Sequence, residues 1–555
     1  MESLTGREVF IMKRLAIGLA LVLAFPALKA NSAEPHHVTL AIMNANTRTM
    51  FESYMESSGK LWAPDVKLLR SARAVPGQKF PGNYLEDWHY WSKCCFDVRQ
   101  SGEYALALLL RDGPGDRARA AATLNAVLKN QYLTPGVRWY GTFKRTPEEP
   151  DPQSNAVMWR DYDPNWREFI GTTLMVILIE FPDRLPSDLI QRMYAAIDRA
   201  VEGEMQEKRL VPAYTNPSMM YGSLWDFAAA HSNHAEWQMK SGNWMETFYS
   251  LYRRYGAFSE FNSPTYDAVD LYGLALWREY GSTERIRTMG AEMEAAMWED
   301  IANFYQPDLH NMCGPYDRSY GMDMESYLSG VGPLMATAME MKFAPVPKIK
   351  TPQGSGTQYG VSPQMAMLGT HIPADALAKL KTFQGPHLIR RRITDQRIAT
   401  AWVGKHAMWG AESTSLTRDV HAASGMGLQY QSPSQFHPVT IQWRTPSGEI
   451  GWIRVVEAPM IDAVADEKGI TITAKGTLRF RIHARNMAPG RISQGQWDLP
   501  GLHVSVTSDP QSVFTLQKTD PAAVDPVQNG ERDGFDILYP GITKMRLDIK
   551  ADADQ

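Results

Sequence analysis

Cysteine is scarce in this 555-residue chain, with only Cys94, Cys95 and Cys313. Three thiols allow one internal disulfide at most and leave one over, so no disulfide framework is expected to hold the fold. No paired-cysteine spacing occurs, which removes the common zinc arrangements, and neither a metal nor another cofactor is expected. A long basic block is also missing: Lys and Arg number 57 against 61 Asp and Glu, a formal net charge of −4. Nucleic acid is therefore not expected as a partner. Beyond the N-terminus no run is long and apolar enough for a membrane helix, so no membrane insertion is expected.

The N-terminus does carry a signal. Met12-Lys13-Arg14 precedes an apolar run from Leu15 to Phe25, then Pro26 and the small residues Ala30-Asn31-Ser32-Ala33. That is the layout of a secretory signal peptide, its apolar core too short to span a bilayer. Residues 1–33 are read as this peptide, with Met12 as the true start, and a secreted or periplasmic location follows. The remaining length exceeds what one hydrophobic core usually organises, so two domains are expected.

Aromatic residues are plentiful, with 16 Trp and 23 Tyr; flat rings with polar edges suit the faces of sugars. From residue 103 to about 343 apolar residues recur at spacings of three and four, which predicts helices near 103–112, 115–132, 164–181, 186–204, 217–230, 234–255, 264–279, 282–303 and 322–342. Short turns near 113, 183, 232 and 281 alternate with longer connections over 133–163, 205–216, 256–263 and 304–321. If successive helices run antiparallel, all the long loops share one rim, where a rigid scaffold usually carries its function. Pro345, Pro347, Pro352 and Gly354-Ser355-Gly356 then break the pattern, and a short helix is expected at 373–383. From about 388 the pattern becomes alternating strands, including 397–403, 439–443, 451–456, 470–473 and 478–482, the spacing of an antiparallel sandwich.

The long-loop rim collects polar and aromatic clusters: Asn83 to His89, Tyr162 to Glu168, Tyr214-Thr215-Asn216, Glu260 to Asp267 and Gly314 to Gly321. Helix capping accounts for any one Asn, Asp or Ser among them. It does not account for the recurrence of Tyr, Arg, Trp and Asn at one end. With the motifs NWREFIGT, YTN, EFNSPTYDAVDLYGLALW and GPYDRSYGMDM, this layout resembles the polysaccharide lyases built from an incomplete (α/α) toroid and antiparallel sheets, including the heparinase II/III-like and alginate lyase groups, as an uncharacterised branch. The resemblance implies a multidomain α-then-β chain: an incomplete (α/α) toroid of helix hairpins over 34–343, a linker over 344–387 and an antiparallel β-sandwich over 388–550.

Such lyases cleave acidic, uronate-containing polysaccharides by β-elimination. The carboxylate's charge must be offset by positioned donors before the neighbouring C5 proton becomes acidic, and Asn or Arg donates without removing the proton itself. Tyr or His then takes that proton and another group protonates the leaving oxygen. On this chain the resemblance assigns Asn216 as carboxylate-offsetting donor, with Asn262 as its alternate. Tyr266 or Tyr320 becomes the acid or base, and Arg318 a group that tunes the tyrosine or holds the carboxylate. Trp88, His89, Trp166, Arg167, Asn262, Tyr316 and His437 are assigned to substrate binding.

The family's catalytic histidine has no obvious counterpart. His231 and His234 fall on a short turn at the opposite rim, about 22 Å from Asn216 at 1.5 Å per helical residue, and are read as structural. His89, His310, His406 and His437 remain candidates, and Glu412 is placed to face the cleft from the sheet. Two other functions stay open. An inverting glycoside hydrolase would use two of Glu168, Glu260, Asp267 and Asp317, and a noncatalytic glycan-binding protein would bind without turnover.

Overall fold

The computed structural model describes residues 38–71, 96–212, 215–326, 329–346, 362–413, 436–457, 460–509, 514–520 and 534–554. After helix α1 (Ala45–Leu61), the short strands β1 (Trp62–Ala63), β2 (Leu68–Arg70) and β3 (Phe96–Asp97) form a small sheet. Helix hairpins follow: α2 (Val98–Arg111) with α3 (Asp116–Leu128), α4 (Trp166–Glu180) with α5 (Ser187–Glu207), α6 (Asn216–Ser232) with α7 (Ala235–Tyr255), and α8 (Asp267–Tyr280) with α9 (Glu284–Phe304).

The first helix of each hairpin touches the first helix of the next, so α2, α4, α6 and α8 form an inner ring and their partners an outer one. Burial follows that order. Helix α4 leaves only Phe169 and Glu180 outside its buried set, whereas α5 buries the stripe Leu189, Met193, Ala196, Ile197, Ala200 and Val201, the spacing of a one-faced amphipathic helix. Strands β4 (Tyr305–Gln306) and β5 (Asn311–Met312) lead to α10 (Val331–Ala338), then α11 (Ser362–Leu368) and α12 (Ala374–Lys381). Helix α11 touches both α2 and α8, with α1 and α10 against it. The ring is thus an incomplete (α/α) toroid whose gap these segments fill. Among the described residues only Val331–Ala338 of the expected helix 322–342 is α-helical, a 3-10 turn beginning at Met341: Met322 and Met324 are buried instead in a loop whose backbone bonds to Asn311.

The remainder is one antiparallel sheet folded into two layers. The first contains β6 (His387–Arg392), β7 (Ile398–Val403), β8 (Ala407–Ser413), β9 (Val439–Arg444), β10 (Ile450–Glu457), β13 (Leu478–His483), β17 (Phe535–Tyr539) and β16 (Thr515–Lys518). The second contains β11 (Met460–Asp466), β12 (Gly469–Lys475), β18 (Lys544–Ala551), β15 (Leu502–Asp509) and β14 (Gln496–Leu499). Among the described residues a single pairing, Ser413 with Asp462, joins them at the corner. Across the layers Ala465 N donates to Thr400 Oγ1 at 2.7 Å and Trp409 Nε1 to Asp466 O at 2.8 Å. At the far end Trp497 Nε1 reaches the Tyr539 hydroxyl at 3.1 Å.

The outer face of the first layer lies on the toroid rather than in water. Phe261, Phe304, Leu309 and Cys313 pack there against Ile393, Ala399, Ala401, Val403 and Met408. This is why β8 and β9 are buried on both faces. A Cβ on Gly410 of β8 would collide with the Gly314 carbonyl, so the backbones of the two halves meet directly.

Candidate functional site

Helices α2, α4, α6 and α8 all begin at the rim that carries the long connections 129–165, 208–215, 256–266 and 305–330. Asn216 is the first residue of α6 and Tyr266 immediately precedes α8. Two connections, one with Glu260 and one with Arg318, converge beside them.

Glu260 joins the group. One carboxylate oxygen accepts from the Asn216 amide at 2.9 Å and from the Thr215 hydroxyl; the other faces Arg318 Nη1 at 2.9 Å. The Arg318 guanidinium lies 3.8 Å from the centre of the Tyr266 ring, and the Tyr266 and Tyr320 hydroxyls are 2.6 Å apart. Asn216, Tyr266, Arg318 and Tyr320 are therefore one connected cluster. Burial pushes the Tyr266 phenol well above its usual range, against the pull of Arg318, so it holds its proton. Behind Glu260, burial also raises the carboxyls of Asp267 and Asp270, each reinforced by the neighbouring acids. A cavity of about 360 Å³ there is lined by Glu260, Asn262, Asp267 and Asp300 among others. No group of three or more His, Cys, Asp or Glu side chains placed to hold a metal ion occurs among the described residues.

Asn216 is not a substrate contact in this arrangement. It is 2% exposed with its amide on Glu260, whereas the Arg318 side chain is partly exposed. Asn262 is likewise occupied: in a left-handed conformation (φ 50°) its amide donates to Cys313 O and Pro315 O, both at 2.8 Å.

The sheet domain holds this rim from behind. Arg397 Nη1 donates to Ser259 O at 2.9 Å and Nε to Glu412 at 2.7 Å, while Nη2 pairs with Asp317. Asp317 accepts from Phe261 N at 2.7 Å. One arginine thus grips the residues just before Glu260 and just before Arg318. Glu412 is fully buried in this trio and does not face a cleft. His437 pairs backbone to backbone with Tyr316, and its Nε2 lies 3.1 Å from Ser319 O and 2.8 Å from Arg454 Nη1. Burial, then the Arg454 charge, hold its pKa well below the usual value, so it is neutral. Tyr316 is buried with its hydroxyl on Met312 O, and Gln442 Nε2 donates to that hydroxyl at 2.7 Å. Both Tyr316 and His437 shape the 312–322 loop from inside and do not line a surface.

Trp166 and Arg167 are also interior. Trp166 belongs to the toroid core. Arg167, 0% exposed, binds Glu204 at 3.1 Å, Glu207 at 2.7 Å and the Tyr140 carbonyl at 3.0 Å. Neither touches solvent enough to line a subsite. Trp88, His89, Tyr214, Cys94 and Cys95 lie outside the described residues. At the opposite rim His231 stacks on Tyr194 and His234 caps α7. His310 pairs with Glu325 at 2.9 Å, and His406 enters none of the bonds of the rim cluster. The carboxylates of a hydrolytic pair fare no better: Glu168, Glu260, Asp267 and Asp317 are all buried. Burial raises Glu168 to about 8 beside Arg209 and Glu204.

Sequence reasoning missed the central place of Glu260, the grip of Arg397 and the support from Gln442 and Arg454. Glu260 carried a signal, since it sits within the motif EFNSPTYD; Gln442 and Arg454 lie in strands and Arg397 just before one, with no local mark.

No curated protein matches the chain. Among solved structures it is similar to heparinase III, at 10% identity and a TM-score of 0.39 over 95% of this chain and 86% of that one. It is also similar to a mutant of the heparan sulfate lyase HepC from Pedobacter heparinus, at 10% identity and a TM-score of 0.31 over 91% and 83%. A family model described as a domain of unknown function (DUF8770) matches residues 387–524. Residues 79–369, more than half of the sequence, match the model described as a domain of unknown function (DUF8769), and the chain belongs to that family.

Proposed function

We propose that the protein is an exported polysaccharide lyase that cleaves a uronate-containing glycan by β-elimination at the Tyr266–Tyr320 rim. The observation that carries this reading is the pair of phenols with their hydroxyls 2.6 Å apart and a guanidinium stacked on one of them. A half-buried phenol and a partly exposed guanidinium side by side are what proton abstraction beside a carboxylate requires. Hydrolysis needs two reachable carboxyl groups, and the four candidates are buried.

In the reaction Arg318 offsets the substrate carboxylate, held in place by Glu260, which Asn216 supports. Tyr320 takes the C5 proton as phenolate. The electrons of that C–H bond form the C4–C5 double bond, the C4–O bond breaks, and the leaving oxygen takes its proton from Tyr266.

Screening uronate polysaccharides for an increase in near-ultraviolet absorbance tests this. Tyr266→Phe, folded by circular dichroism, is expected to lower kcat by about 10²- to 10⁴-fold with little change in KM. Undiminished turnover in that variant removes the phenol pair from the mechanism. New reducing ends without the absorbance change point to hydrolysis.

A further inference from the structure

A second cavity, partly open to solvent and about 560 Å³ with that open space included, lies inside the helical ring where α11 bridges α2 and α8. One side is apolar, formed by Ala268, Leu271, Ala275, Leu334 and Leu368. The polar lining comprises Arg99, Glu103, Tyr272, Glu294, Gln364 and Thr370. The Arg99 guanidinium lies 3.7 Å from the centre of the Phe169 ring and its Nε donates to Glu103 at 3.3 Å, its single ion-pair partner among the described residues. Gln364 is 5% exposed, yet its Oε1 has no hydrogen-bond partner there.

An enclosed acceptor without a donor is costly until a ligand supplies one. A cation whose only counter-charge is weakly held selects an anion, and an apolar wall with few convergent polar groups is the usual form of a small-molecule site. Burial, aided by Asp97, raises the Glu103 carboxyl to about 7 even beside Arg99. The other titratable groups that sense Glu103 are Tyr54 of α1 and Tyr272 of α8, both raised by burial and therefore neutral. Among the described residues Arg99 is the only cation that senses Glu103, and as Glu103 takes up its proton Arg99 loses its ion-pair partner; Asp97 and Asp163 still sense its charge, and Glu294, the other carboxylate of the lining, is held by Arg278.

We propose that this cavity binds a small hydroxylated carboxylate of the sugar-acid class, with the carboxylate on Arg99, a hydroxyl donating to Gln364 Oε1 and the C–H face on the apolar wall. The proposal does not rest on the lyase reading, since a free monosaccharide has no glycosidic bond to eliminate.

Calorimetric titration of the full chain with glucuronate and with glucose, at pH 6 and pH 8, tests it. Glucuronate stays ionised throughout, as a carboxylic acid titrating well below pH 6. It is expected to bind about tenfold or more tighter than glucose, and several-fold tighter at pH 6 than at pH 8. Glu103→Gln is expected to hold the tighter affinity at both pH values, Gln364→Leu to weaken it, and Arg99→Met to abolish it, while Arg318→Met retains it. Equal binding of the two sugars, no binding of glucuronate at either pH, or loss of binding in Arg318→Met with retention in Arg99→Met overturns the proposal. Should Arg99→Met fail to fold, the Gln364→Leu and Glu103→Gln results decide alone, and wild-type behaviour in both overturns it.

Discussion

Removing the Asn216 amide takes one of two donors from a Glu260 oxygen that Thr215 also serves, in a carboxylate whose other oxygen faces Arg318. Asn216→Leu is expected to cost about 1.5–3 kcal/mol of stability, the usual worth of a hydrogen bond to a charged group, read as a shift of the urea midpoint. It is also expected to lower kcat more than it raises KM, because the guanidinium loses its fixed counter-charge while Tyr266 and Tyr320 stay in place. A change in KM alone would instead mark Asn216 as a direct substrate contact. At this scale the sequence was partly legible. Asn216, Tyr266, Arg318 and Tyr320 stood out because each sits at or beside a helix start or in a polar-aromatic loop on one rim. The direction of the Asn216 amide was not legible, because it depends on a loop that brings Glu260 to it from a different hairpin.

The junction between toroid and sheet depends on one buried cation serving two carboxyl groups. Arg397→Met leaves Asp317 and Glu412 enclosed without it and is expected to cost about 3–5 kcal/mol, as for other broken buried pairs, measured by chemical denaturation. Burial, with Glu412 adding like charge, raises the Asp317 carboxyl well above its usual range despite Arg397. A carboxyl with a raised folded-state pKa binds its proton more tightly in the folded chain, so its stabilising contribution is full at low pH and is lost as pH rises through the folded value. Asp317→Asn, which mimics the protonated form, is accordingly expected to flatten part of the pH dependence of unfolding. The element pattern explains what could be read here. Inner helices, outer helices and the strands from 397 to 482 announced themselves by period, whereas Val331–Ala338 is the only α-helix within 322–342 among the described residues, because the preceding segment is pinned by Asn311 and Gln442. Nothing in the local sequence of Arg397 or Gln442 marks a partner on another domain.

Across the whole molecule the same linkage acts at several interior acids. Burial raises Glu168 from 4.5 to about 8, Glu103 from 4.5 to about 7 and Asp97 from 3.8 to about 6. All three favour the folded chain most at low pH and progressively less as pH climbs through those values. The melting temperature is therefore expected to fall between about pH 5 and pH 8, and a melting temperature that rises over this interval would show that other groups dominate. The order of the two halves was readable from the change of period near residue 388. The way one sheet turns over at Ser413 and Asp462 into two layers was not, since a single bridge sets it.

The greasy underside shared by Phe261, Phe304 and Leu309 on one half and Ala401, Val403 and Met408 on the other has a practical outcome. Cut between residues 381 and 387, either piece would carry a sticky surface that its sibling normally covers, and exposed patches of that kind drive aggregation. Co-expressing both pieces is expected to rescue solubility that neither attains alone. Monodisperse, cooperatively melting fragments in size-exclusion chromatography would mean that the halves mature independently and dock late.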